Sequence, residues 1–249
     1  MKQYYGVLNY RTVITLVITI ATTFICFRYD IQFYVDLTLL SIAIIFPLVF
    51  TIRGSFRRRE KALEHLSQFR SALKTVYYFV MGNEEMTEKT KTRLSNALSE
   101  ISEETIAHLK VHDNGTEDLD TVTDKVFQFI GEAEETISRK LKDRIWRFMN
   151  DLHEGIENVR AIHIHRTPIS LKAYCLLFIY VFPMIYVPTI INNLGPGSPE
   201  AMTYFVVILT EFILISLYNI QDQLEYPFDD KGLDDIKLEN FKIDRGKSK

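Results

Sequence analysis

The sequence predicts an all-α, polytopic membrane protein with four transmembrane helices and a cytosolic helical bundle. Three observations predict it. Apolar residues gather in two pairs of long runs, one pair near each end of the chain. Between the pairs lies a polar stretch whose apolar residues recur at helical spacing. Lys and Arg crowd the side of the runs that faces this stretch. No segment of any length alternates polar and apolar residues as a half-buried strand does.

The runs are Thr12–Phe27, Ile31–Ile52, Leu171–Ile191 and Met202–Ile220. A span needs about 20 apolar residues, with a range of about 17–25. The last three meet that length. The first does so by extending to Tyr10 or Tyr29, and it is rich in threonine. Followed almost at once by another span and lacking a small-residue cleavage site, it reads as a mature helix rather than a signal peptide. Tyr10, Tyr29, Tyr174 and Tyr204 fit the aromatic belt at the membrane surface. Pro47, Pro183 and Pro188 read as kinks, tolerated where neighbours satisfy the freed carbonyls.

Orientation follows from the cations. Arg53, Arg57, Arg58, Arg59 and Lys61 follow span two, and Arg160 and Arg166 precede span three. The connection Asn192–Ala201 has neither Lys nor Arg. The expected layout is spans one and two in 1–53, a cytosolic helical region in 54–166, spans three and four in 167–221, and a cytosolic tail in 222–249. Both termini are then cytoplasmic in a multi-pass protein of the cell membrane. The sequon Asn114-Gly115-Thr116 falls on the side where it is not glycosylated.

Two stripes build the cytosolic bundle. Leu63, Leu66, Phe69, Leu73, Val76 and Val80 form one, and Leu94, Leu98, Ile101, Thr105 and Leu109 the other. Polar helices with a single apolar stripe must pack on one another. The turn-rich "VHDNGTEDLD" separates these helices from the next, which ends at "HIHRTP".

The 249 residues carry a net charge of −3, which gives no sign of a nucleic-acid partner. Cys26 and Cys175 each sit inside an apolar run and read as buried small hydrophobes. No phosphate loop, CxxC, HExxH or nucleophile elbow occurs. His163 and His165 lie two apart, so they do not share a helix face. The acidic "GEAEE" (131–135) reads as a solvated helix face. The sequence therefore predicts no enzyme, no cofactor and no metal site.

On the second span, Leu48, Ile52 and Phe56 recur every four residues. Such a stripe can pack against a neighbouring helix. It can also face a ring of identical subunits, where apolar side chains gate ions by dewetting. The helix pattern runs on past Arg57, Arg58 and Arg59, which either concentrate anions at a pore exit or serve as the ordinary positive-inside anchor. Glu211, deep in span four, either senses pH or contacts cations, or is a protonated or hydrogen-bonded residue meeting threonines such as Thr15, Thr19 or Thr22.

Three short motifs, in order, carry a family resemblance. "SFRRREKALEHLSQF" resembles the Ser-Phe-Arg-Asn-Asn exit from the second span of bestrophins. "RTPISL" resembles their Thr-Pro-Ile-Pro-Leu entry to the third. "NIQDQLEYPFDDKGLDDIKLENF" resembles their post-membrane Glu-x-Pro-Phe stretch and acidic turn. The resemblance covers about Tyr10 to Leu238. It implies a homopentameric channel for small monovalent ions, anions or Na⁺/K⁺, with neck rings at Leu48, Ile52 and Phe56. It implies a lipid bilayer, further copies of itself and permeating ions as partners. Arg57 and Arg58 depart from the family's asparagines. In the post-membrane turn, Gln223, Pro227, Phe228 and Asp234 match. Tyr226 and Lys231 replace an amide and a carboxylate, and a lysine is a poor neighbour for calcium, so no calcium clasp is expected. The alternative function is a non-conducting scaffold or accessory subunit whose cytosolic bundle binds a partner.

Overall fold

The computed structural model describes residues 8–84, 86–111, 121, 124, 127, 138–195, 197–230 and 232–244. The sequon, the acidic run at 131–135 and Lys231 lie outside them. Among the described residues lie α1 Tyr10–Tyr29, α2 Leu37–Met81, α3 Glu88–Lys110, α4 Arg139–Ile164, α5 Ile169–Leu194 and α6 Glu200–Leu224, with a short 3-10 helix at Leu238–Phe241. The chain divides into two compact units. One combines Met1–Arg57 with Thr167–Glu225, and the other Arg58–Arg166 with Tyr226–Lys249.

The first unit holds four helical segments long and apolar enough to cross a membrane. Asn9 caps α1, its side chain accepting from the Arg11 and Thr12 N–H groups. Thr12, Thr15, Thr19 and Thr23 then line the buried side of α1. The hydroxyls of Thr15, Thr19 and Thr23 donate to the carbonyls of Arg11, Thr15 and Thr19 at 2.9, 2.8 and 2.7 Å. Each polar group is thereby satisfied within its own helix, as an apolar solvent demands. Asp30 ends α1 in the left-handed region at φ 52°. The expected second span began at Ile31. The helix instead begins at Leu37, where the Asp36 carboxylate accepts the Thr38 N–H at 2.9 Å and gives the chain a start signal.

α1, α5 and α6 pack pairwise. Ile44 and Leu48 of α2 join Cys175, Ile179 and Phe182 of α5 and Leu214, Ile215 and Tyr218 of α6 in one buried cluster. Pro47 in α2, and Pro183 and Pro188 in α5, lie inside helices that continue through them.

The second unit is a bundle. The stripes of α2 and α3 bury Phe69, Leu73, Val76 and Val80 against Leu94, Leu98 and Ile101, with Ile145, Met149, Leu152 and Ile156 of α4. A second cluster joins Ala62, Leu66, Ile106, Leu109 and Val159 to Phe228, Ile236 and Leu238 of the tail. Hydrogen bonds hold the tail along its length. Arg59 Nε donates to the Asp234 carbonyl at 2.7 Å, and Arg70 Nε to that of Lys242 at 3.2 Å. The Ile243 N–H donates to the buried Ser102 hydroxyl at 3.0 Å.

Glu239 pairs with Lys110 at 2.7 Å and with Lys242 at 2.8 Å. Hydrogen bonds from these two ammonium groups hold its carboxyl below the ordinary value of 4.5. A lowered folded-state pKa contributes stability above the ordinary value, lost as pH falls through the lowered one. Glu239 is solvent-exposed, so Glu239→Gln should cost about 0.5 kcal/mol or less at pH 7. Thermal unfolding at pH 7 and pH 3 checks this: the difference between variant and wild type should vanish in acid.

Candidate functional site

α2 is a single helix of 45 residues that starts apolar and ends polar. Its two sides differ sharply. Leu48 is 1% exposed and buried against α5 and α6. Ile52 is half-buried against the same cluster, and Phe56 is 48% exposed. The progression has a simple cause. An α-helix turns about 100° per residue, so a four-residue repeat drifts about 40° at each step. Leu48, Ile52 and Phe56 therefore walk from the buried face toward the open one. Within the protomer, Leu48 thus packs against α5 and α6, while Phe56 is left open.

The open face runs through Leu39, Ile42, Phe46, Val49 and Phe50, with Phe46 56% and Phe50 61% exposed. The Phe46 and Phe50 rings meet at 5.9 Å between centroids. The same face continues through Arg53 and Arg57, both exposed. Arg58 and Arg59 turn aside and are half-buried, Arg59 held by the Asp234 carbonyl. Of the three arginines expected at a pore exit, only Arg57 shares the open face.

At the end of the first unit where α2 becomes basic, a polar latch joins the other spans. Asp222 accepts from Arg11 at 2.7 Å and from Lys172 at 2.6 Å. Lys172 also reaches the buried Glu225 at 2.7 Å. Glu225 accepts the Thr167 N–H at 2.8 Å and the Gln221 amide at 3.2 Å, and that amide reaches the Ser55 hydroxyl of α2 at 3.4 Å. Asn9 donates to Asn219, which donates to Thr12, at 2.9 and 3.0 Å. Two cations and two carboxylates balance, and each charge has a hydrogen-bonded partner. None of these pairs was expected from sequence. The available signal is that Arg11, Lys172 and Asp222 each stand at a span end on the same predicted side.

No family model matches the chain, and no curated protein does. Solved structures do. A bacterial bestrophin homologue from Klebsiella pneumoniae, determined by zinc phasing, matches with a TM-score of 0.74 at 17% identity, over 93% of this chain and 93% of that one. A point variant of a bacterial bestrophin homologue from the same organism gives 0.74 at 18% identity over the same shares. A variant described simply as a membrane protein gives 0.73 at 17%, again over 93% of each chain. The chain has the bestrophin fold.

Within this bestrophin fold, Glu211 is 0% exposed, and among the described residues neither carboxyl oxygen has a hydrogen-bond partner. Thr12 meets Asn219 at one end of the α1–α6 pair, and Phe27 stacks on Tyr204 at the other. Counting between these contacts sets Glu211 level with Thr19 and Thr23; Thr22, named from sequence, is half-buried beside this stripe. On α5, Tyr186 meets the adjacent Thr210 at 3.1 Å. The Thr19 and Thr23 hydroxyls have already given their protons to backbone carbonyls, so they offer acceptors.

The post-membrane turn is divided between the units. Gln223 lies in the last turn of α6 in the first. Pro227 and Phe228 are buried in the second, and Asp234 is exposed, its carbonyl accepting from Arg59. Among the described residues no group of three or more His, Cys, Asp or Glu is placed to hold a metal. His163 turns from His165 toward His108, 6.3 Å away between ring centroids, and its Nε2 lies 3.1 Å from the Val111 carbonyl.

Proposed function

We propose that the protein is an oligomeric channel for small monovalent ions, with several copies lining one passage by the open face of α2. Five copies is the number the family resemblance implies. The observation that carries the reading is this face: an apolar, aromatic row on one helix, left exposed in its own protomer, that runs directly into exposed arginines. A face destined only for lipid has no need to continue in register as a charged row. Closed into a ring, Phe46 and Phe50 form the constriction, with Phe56 and Ile52 on its flank and Leu48 packed behind. An ion there loses its hydration shell and gains nothing in return, so the ring resists ions until it widens. The latch at Ser55 steadies the helix immediately beyond the ring. In this reading both termini and the polar bundle lie in the cytosol, and neither catalysis nor a cofactor is needed.

Ion flux into liposomes holding the purified protein tests it. Phe50→Ala should raise flux several-fold over wild type, because a shortened side chain relieves dewetting. Ile52→Ala, on the flank, should raise it less. Silence from wild type and Phe50→Ala, with the oligomer intact, would favour the non-conducting scaffold.

A further inference from the structure

We infer that the cleft between α2 and α4 in the second unit binds an aliphatic amine of the diamine or polyamine class; the inference does not depend on the channel reading. The two helices approach most closely where Gly155 meets the Phe69 backbone. One turn along from that crossing, α2 presents Ser71, Ala72 and Thr75, whose short side chains leave the space opposite Phe148 and Asp151 unfilled. A cleft of about 290 Å³ remains. Its apolar wall is the buried Ala72 and the half-buried Phe148 ring, which is held 5.5 Å from the Phe79 ring. Asp151 and Glu154 line it from α4, and both are exposed.

Residues three apart share a helix face with Cβ atoms about 5–6 Å apart, so one ammonium can touch both carboxylates. Among the described residues neither carboxylate has an ion pair or a hydrogen bond. Arg147 stands one turn before Asp151 without pairing with it, and the next acid, Glu157, is taken by Arg160 at 3.4 Å. From α2 the cleft receives only neutral residues, Gln68 the longest. Lys74 of that helix lies instead over the Tyr77 and Tyr78 rings, at 5.0 and 5.8 Å. The Thr75 hydroxyl donates to the Ser71 carbonyl at 2.8 Å, which leaves its oxygen as an acceptor. The cleft thus combines acceptors and uncompensated negative charge with an apolar wall. A primary ammonium has three donors and no acceptor, and its methylene chain suits the wall. A divalent cation takes about six or more oxygen ligands and gains nothing from Ala72 or Phe148. The volume lies at the lower bound of small-ligand sites, about 300–1,000 Å³, which suits a slender chain.

The test is calorimetric titration of spermidine into the purified full-length protein in detergent, at about 0.15 M salt so that loose surface attraction is screened. Wild type should bind it saturably. Asp151→Asn combined with Glu154→Gln should weaken binding about tenfold, and each single substitution by less. The single variants answer the question if the double variant fails to fold. Glu103→Gln combined with Glu104→Gln removes as much negative charge from exposed positions on α3 and should leave binding unchanged. Magnesium chloride at the concentration of the spermidine should not compete with it. Absence of saturable binding by wild type, unchanged binding in the α4 variants, an equal loss in the α3 variant, or displacement by magnesium overturns the inference.

Discussion

Leu48→Ala should weaken the protein by about 2 kcal/mol and leave ion flux unchanged, the reverse of what Phe50→Ala should do. Leu48 fills space between α2, α5 and α6 in the cluster of Ile44, Ile179 and Ile215. In water, truncating a buried leucine costs about 2–5 kcal/mol, part transfer and part cavity. Between helices in lipid the transfer part shrinks, because lipid tails are as apolar as leucine. The cavity part survives, hence a value at the low end. Phe50 has no such cavity to leave, since its ring is mostly exposed within the protomer. Heating the detergent-solubilised variants and following the monodisperse fraction gives stability; liposome flux gives the second readout. A Leu48→Ala protein that conducts more than wild type while melting at the same temperature would return Leu48 to the pore.

That contrast shows where sequence reasoning stops. The four apolar runs, the uninterrupted helix through Arg57 and the two stripes of the bundle were all legible. Each depends on composition or on periodicity within one segment. The open face of α2 was not, although the same periodicity bears on it. Leu48, Ile52 and Phe56 and the row Phe46, Phe50, Arg53 and Arg57 are equally regular, and both read as apolar faces meeting arginines. Choosing between them requires knowing where α5 and α6 lie, and spacing along one helix carries no such information.

The latch was hidden for a related reason. Arg11 and Asp222 stand 211 positions apart, and nothing local in either segment marks the pairing. Glu211 was conspicuous because a carboxyl deep in an apolar run is costly. Its level on α1, near Thr19 and Thr23, follows only from contacts at both ends of the helix pair. His163 is similar. Its sequence neighbour His165 invited a comparison, but the helix turns it toward His108 on another helix.

Gly155→Leu should cost about 3 kcal/mol and disrupt the second unit, whereas Gly155→Ala should remain within about 1 kcal/mol of wild type. A Cβ placed on Gly155 would lie 3.3 Å from the backbone nitrogen and Cα of Phe69. α4 thus crosses α2 close enough that glycine is needed for room, not for unusual backbone angles. Alanine at this position brings two opposed effects. It favours the helix over glycine by up to about 1 kcal/mol, and it forces α2 to give by a few tenths of an ångström. Leucine keeps the first effect and adds three carbons that face backbone rather than a side chain able to rotate away. The bundle must then separate or shift, loosening Phe69, Leu152 and Ile156, all buried in its main cluster. Thermal unfolding followed by far-ultraviolet circular dichroism measures both variants. A Gly155→Leu protein as stable as wild type would show that the helices do not approach this closely, and the packing of α4 on the long helix would have to be redrawn.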